Sequence, residues 1–132
     1  MRSGYRALWL SVLVVLLAGA SVSTHHSVSG QFDTTKKITV TGVITKIDWV
    51  NPHIYVFVDG KDDSGTAGQW ALETVPTAMA RKAKLTKDTM AGKPGETVTV
   101  TGHPARDARK SAWILRITYS DGRFIQLSAD RG

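Results

Sequence analysis

Beyond residue 37 the apolar positions recur mostly at every second residue, the period of strands, and one central stretch carries helical spacing instead. Ile38, Val40 and Ile44 share one face of a first strand, and Val43, Ile47 and Trp49 share the other, with Gly42 where the apolar phase changes. A strand that exchanges its buried face at a glycine is expected to bulge or bend there. Asn51-Pro52 ends it with turn chemistry. The run Ile54 to Val58 is apolar throughout, which predicts a second strand covered on both faces. Asp59 to Gly65 reads as a polar hairpin loop, and Gln69 to Val75 as a third strand, with Trp70 and Leu72 facing one way and Glu73 the other.

Pro76 suits the first turn of a helix carrying Ala78, Met79, Ala80, Ala83 and Leu85. Thr86 is placed to cap a second short helical turn, with Asp88 near its positive end. Strand periodicity returns at Thr97 to Gly102 and at Trp113, Leu115, Ile117 and Tyr119. Asp121-Gly122 carries the signal of a type I′ hairpin leading into Phe124, Ile125 and Leu127.

Three strands, a helix and two or three further strands result. Ile38-Thr39-Val40-Thr41-Gly42 is echoed by Val98-Thr99-Val100-Thr101-Gly102, and in a closed barrel such strands can be neighbours. The predicted fold is therefore mainly β, a small OB-like barrel of five or six strands with one helix between strands three and four. A plain antiparallel sheet with one packed helix is the alternative.

The first residues do not belong to this pattern. Arg2 and Arg6 precede an apolar run from Ala7 to Leu17, followed by Ala18-Gly19-Ala20, the layout of a secretory signal peptide. Polar Ser21, Ser23 and Thr24 arrive too early for a membrane span. Residues 1–20 are read as signal peptide, 21–36 as a flexible tail that gains order near Phe32-Asp33, and 37–132 as one domain. Export to a bacterial periplasm, with no stable membrane anchor after cleavage, is the expected location.

Composition narrows the chemistry. The 132 residues leave room for one domain, and the absence of Cys excludes disulfides and thiolate metal sites. The formal charge is 17 − 11 = +6, which on its own suggests nucleic acid. Removing Arg2 and Arg6 with the signal leaves 15 − 11 = +4. Much of that surplus lies in Arg81-Lys82-Lys84-Lys87, a solvated helix face, and in Arg106-Arg109-Lys110. Nucleic acid is not the expected partner.

Four histidines stand out. His25-His26 lies just past the signal: cleavage after Ser23 or Thr24 gives an amino-terminal chelate suited to Cu(II), whereas cleavage after Ala20 does not. His53 follows Pro52 at a rigid corner, and His103 ends the fourth strand. Glu73, a carboxylate among apolar neighbours, needs a partner such as His53, Arg106 or a metal if it is buried. The candidate metal ligands are His25, His26, His53 and His103, with Glu73 as a possible addition, for Cu(II) or Zn(II). The candidate ligand-binding residues are Asn51, His53, Tyr55, Trp70, Glu73 and Arg106.

These residues also carry a resemblance. His25-His26-Ser27, Phe32-Asp33, Thr41-Gly42-Val43 with Asn51-Pro52-His53, Trp70 through Glu73, Gly95 to Gly102, Pro104-Ala105-Arg106-Asp107 and Asp121-Gly122-Arg123 resemble a bacterial family of small exported proteins known only as a domain of unknown function. The resemblance implies an exported, mostly β domain and brings no activity. Two positions depart from it: Thr24 stands where Ala is expected before the His pair, and Ala108 stands where Gly is expected after Arg106-Asp107.

No nucleophile elbow, phosphate loop, His-Glu-x-x-His helix or catalytic carboxylate pair is present in the sequence. The leading expectation is an exported, non-catalytic binding or accessory domain for an unidentified periplasmic ligand or partner protein. Tyr55, Phe57, Trp70 and Trp113 are its candidate stacking surface, and copper or zinc binding is the alternative.

Overall fold

A computed structural model describes residues 27–129. The elements are α1 (Val28–Gln31), β1 (Ile38–Asp48), β2 (Tyr55–Asp62), β3 (Ala67–Glu73), α2 (Thr77–Lys82), α3 (Lys87–Ala91), β4 (Thr97–Pro104), β5 (Ser111–Thr118) and β6 (Phe124–Gln126). The strands lie in the order β3-β2-β1-β4-β5-β6, and a parallel pairing of β3 with β5 closes the first five into a barrel. Only three residues make that closure, Ala71 to Glu73 against Ser111 to Trp113. The far half of β5 pairs with β6, the extra strand. This is the OB-like connectivity, with the helices between β3 and β4.

The two echoed segments are neighbours. Val40 lies opposite Val100, and Ile38 and Gly42 lie opposite Gly102 and Val98. Val40, Val56, Val58, Leu72, Val98, Val100, Ile114 and Ile117 fill the barrel, and Ala80 and Met90 bring α2 and α3 into the same core. α3 starts at a capping box in which Thr86 and Thr89 satisfy each other's backbone N–H groups.

Several local expectations are corrected. The phase change in β1 falls at a bulge between Ile44 and Lys46, not at Gly42. Gly42 instead faces Gly60, where the backbones approach so closely that a Cβ on Gly42 overlaps the Asp59 carbonyl. β2 runs on to Asp62, so the loop shortens, and the Asp62 carboxylate organises it by accepting from the backbone N–H groups of Ser64 and Thr66. Trp113 and Ile117 do not share a face, because β5 bulges at Leu115. In the last hairpin Gly122 has positive φ and Asp121 does not, so the turn is not type I′.

The stretch before β1 holds α1 and then Phe32, which is buried and pairs with Ala105. With Ala105, Trp113 and Val28 it forms a second, smaller cluster on the outer surface of the barrel.

Candidate functional site

The closure of the barrel sets one transverse row of residues. Tyr55 of β2 lies opposite Glu73 of β3, Glu73 opposite Trp113 of β5, and Trp113 opposite His103 of β4. Leu72 and Ile114 point into the core, so alternation turns the members of this row outward. Glu73 nevertheless has a side chain only 8% exposed. A carboxylate so placed needs a partner, and it has one: the Nδ1–H of His53 donates to Oε1 at 2.5 Å. His53 reaches Glu73 from the β1–β2 loop and stands edge-on to Trp113, with ring centroids 5.4 Å apart at 77°.

Each group in the row is held by a neighbour. Trp113 Nε1 donates to Ser128 Oγ at 2.9 Å, and Phe32 packs on its ring. Glu73 and burial together act on Tyr55. Burial first, then the negative charge of Glu73 and hydrogen bonding to it, push the phenol above its ordinary value, while Arg109 pulls it down. Because His53 gives Nδ1–H to the carboxylate, Nε2 is the ring atom left to meet a ligand, and the side chain is 28% exposed. Such a ring can accept a hydrogen bond or bind a metal, in the way a carboxylate orients a ligating histidine.

The remaining candidates fall in different places. Asn51 lies in the same loop, and its Oδ1 accepts from Thr77 Oγ1 at 2.7 Å, tying the loop to α2. Trp70 is a core residue, 4% exposed, and supplies no stacking surface. Arg106 is not the partner of Glu73; its Nε donates to the Ser29 carbonyl and clamps α1 to the β4–β5 loop. His103 is buried, and its Nδ1–H donates to the Lys36 carbonyl. Two strand spacings, about 10 Å, separate Glu73 from His103 with Trp113 between them. His53, Glu73 and His103 therefore do not converge, and among the described residues no three His, Asp or Glu side chains form a metal-holding group. His25 and His26, like the expected signal peptide at residues 1–20, lie outside the described residues.

The outer face of β2 differs from the expectation in a way that matters. Val56 and Val58 are fully buried, but Tyr55 and Phe57 are only half-buried, so the strand is covered on one side. The two rings lie side by side with centroids 6.5 Å apart and planes 33° from parallel. Lys46 of β1 sits over Phe57 at 5.3 Å from its centroid. On the other side of the row, a cavity of about 740 Å³ lies between α1, β5, α2 and the segment after β6. Trp113, Leu115, Val75, Met79 and Leu127 give it mostly apolar walls, with His103 at its edge.

The fold and this row define a class: an OB-like barrel with an aromatic outer face next to a carboxylate–imidazole pair. The profile of a family of unknown function (DUF6152) matches residues 13–113, and the chain belongs to that family. Compared with the curated proteins and with the solved structures, the chain has no match.

Proposed function

We propose that this chain is an exported, non-catalytic binding domain, and that its ligand lies across the outer face of β2 and β3. The observation that supports this most is the half-open pair Tyr55 and Phe57, backed by Val56 and Val58 in the core. Fully burying an aromatic ring is worth about 1.5–3 kcal/mol, part of which these two rings forgo. Adjacent ring faces left part-open to solvent give a ligand a surface to stack on, and the faces of strands 2 and 3 with their flanking loops are where OB folds take extended ligands. His53 borders the platform from one loop and Arg109 from another.

The test is an amide chemical-shift map of the mature protein with a panel of probes: a peptide mixture, neutral tetrasaccharides, single-stranded oligothymidylate, Cu(II) and Zn(II). The reading expects at least one organic probe to move the amides of β2, β3 and residues 51–54. Shifts confined to other surfaces, or none with any probe, contradict it.

Copper or zinc binding is the second reading, supported by His53 being oriented by Glu73 with Nε2 left for a metal. It expects binding tighter than micromolar that weakens about tenfold in His53→Ala. Intact mass of the exported protein, with and without copper, fixes its terminus and so the place of His25 and His26.

A further inference from the structure

We infer that the ligand of the β2–β3 face is a neutral glycan, an inference that rests on the binding reading above. Three observations select this class. The first is the platform itself. Tyr55 and Phe57 present two half-buried rings side by side on one strand, with planes tilted 33° to each other. The negative face of an aromatic ring attracts the C–H groups on the face of a pyranose, and two adjacent rings extend that contact along a chain of sugars.

The second observation concerns charge. On β2, on the stretches of β1 and β3 paired with it and on the β4–β5 loop, the basic groups are Lys46, Lys61, Arg106, Arg109 and Lys110, and the acidic ones are Asp48, Asp59, Asp62, Glu73 and Asp107. The two signs balance. Lys46, which sits over Phe57, pairs with Asp48 at 2.8 Å, and Arg109, whose charge acts on Tyr55, pairs with Asp107 at 3.5 Å. A polyanion such as single-stranded nucleic acid is bound by cations that neutralise its phosphates. Here Lys46 and Arg109 already have carboxylate partners and the local charge has no basic surplus. The chain's basic surplus lies instead on α2, α3 and their connection, at Arg81, Lys82, Lys84 and Lys87.

The third observation concerns the backbone. A peptide binds a sheet most simply by adding a strand to an open edge. β2 is paired on both sides, to β1 and β3, and β3 is paired to β2 along its length and to β5 over Ala71 to Glu73. The strand that carries the aromatic rings thus offers no main-chain ladder to a peptide. It offers ring faces, and beside them the imidazole of His53, whose Nε2 can hydrogen-bond a hydroxyl, which both donates and accepts. Rings plus a few oriented polar groups are what a neutral sugar requires.

The experiment titrates cellotetraose, chitotetraose and maltotetraose into the mature protein by calorimetry and amide chemical shifts, at low and high salt. The expected result is binding of at least one of them, with shifts on β2 and β3 and little change with salt. Tyr55→Ala and Phe57→Ala each weaken it about tenfold. Tyr55→Phe retains most of the affinity, which separates loss of the ring from loss of folding. The glycan class is overturned if none of the three binds in the millimolar range. It is also overturned if oligothymidylate binds the same face with a steep salt dependence, or if the peptide mixture does so in their place; in both cases the face itself stands as the site. Sugar-induced shifts lying only outside β2 and β3 overturn the site as well.

Discussion

At the scale of single residues, Glu73 shows what local pattern conveys and what it does not. Alternation along β3 turns it away from Trp70 and Leu72, and this is legible in the sequence. Its burial is not, because the cover comes from His53, twenty positions earlier, and from the Trp113 strand, joined to it only by the short parallel closure. The bond between His53 and Glu73 spares a buried carboxylate from standing alone. His53→Ala is therefore expected to lower the unfolding free energy by about 1–3 kcal/mol. Adding Glu73→Gln should restore most of that loss, as urea denaturation of both variants will show. Ala108 is a second case. The resemblance expects glycine there, and the residue indeed sits at φ 60°, in the left-handed region that costs a side chain about 1–2 kcal/mol. Ala108→Gly should raise stability by about 1 kcal/mol in the same assay; an unchanged or lower value argues against strain in this loop.

At the scale of elements, the barrel was legible because the repeated Thr-Val-Thr-Gly segments carried their own pairing, and β1 and β4 do lie side by side with Val40 opposite Val100. The bulges were not legible. A bulge at Thr45 and one at Leu115 arise from how strands turn around a closed barrel, and alternation by itself assigns the phase change to the most conspicuous glycine. Gly42 serves a different need, the close approach to Gly60. Connections between elements also carry electrostatics. Glu96 accepts from Lys93 N–H at 2.6 Å and from the Ser120 hydroxyl, joining the turn before β4 to the hairpin after β5. The Ser120 hydroxyl first, then the Lys93 amide, hold its carboxyl below the ordinary value of 4.5. A lowered folded-state pKa gives stability that is present above the ordinary value and lost as pH falls through it toward the folded value. Thermal melts between about pH 6 and pH 3 should therefore fall less steeply for Glu96→Gln than for the native chain. Parallel curves contradict that role. Asp33 and Asp62, also lowered by their hydrogen bonds, leave a residual slope in both.

At the scale of the whole molecule, a basic cluster and the aromatic face lie on different elements. Arg81, Lys82, Lys84 and Lys87 sit on α2, α3 and their connection, and Tyr55 and Phe57 sit half-buried on β2. A continuous apolar run cannot reveal the second of these. Ile54 to Val58 reads the same whether its outer side faces another layer or water, and here it faces water. The molecule also has a concavity apart from that face, the cavity of about 740 Å³ behind Trp113. The ligand is proposed to lie on the face and not in that cavity. A crystal structure of the protein with the tightest-binding probe of the panel decides between them. The expected result is the probe lying over Tyr55 and Phe57 with a polar group at His53. A probe seated in the cavity among Trp113, Leu115 and Met79, with Tyr55 and Phe57 left bare, contradicts it.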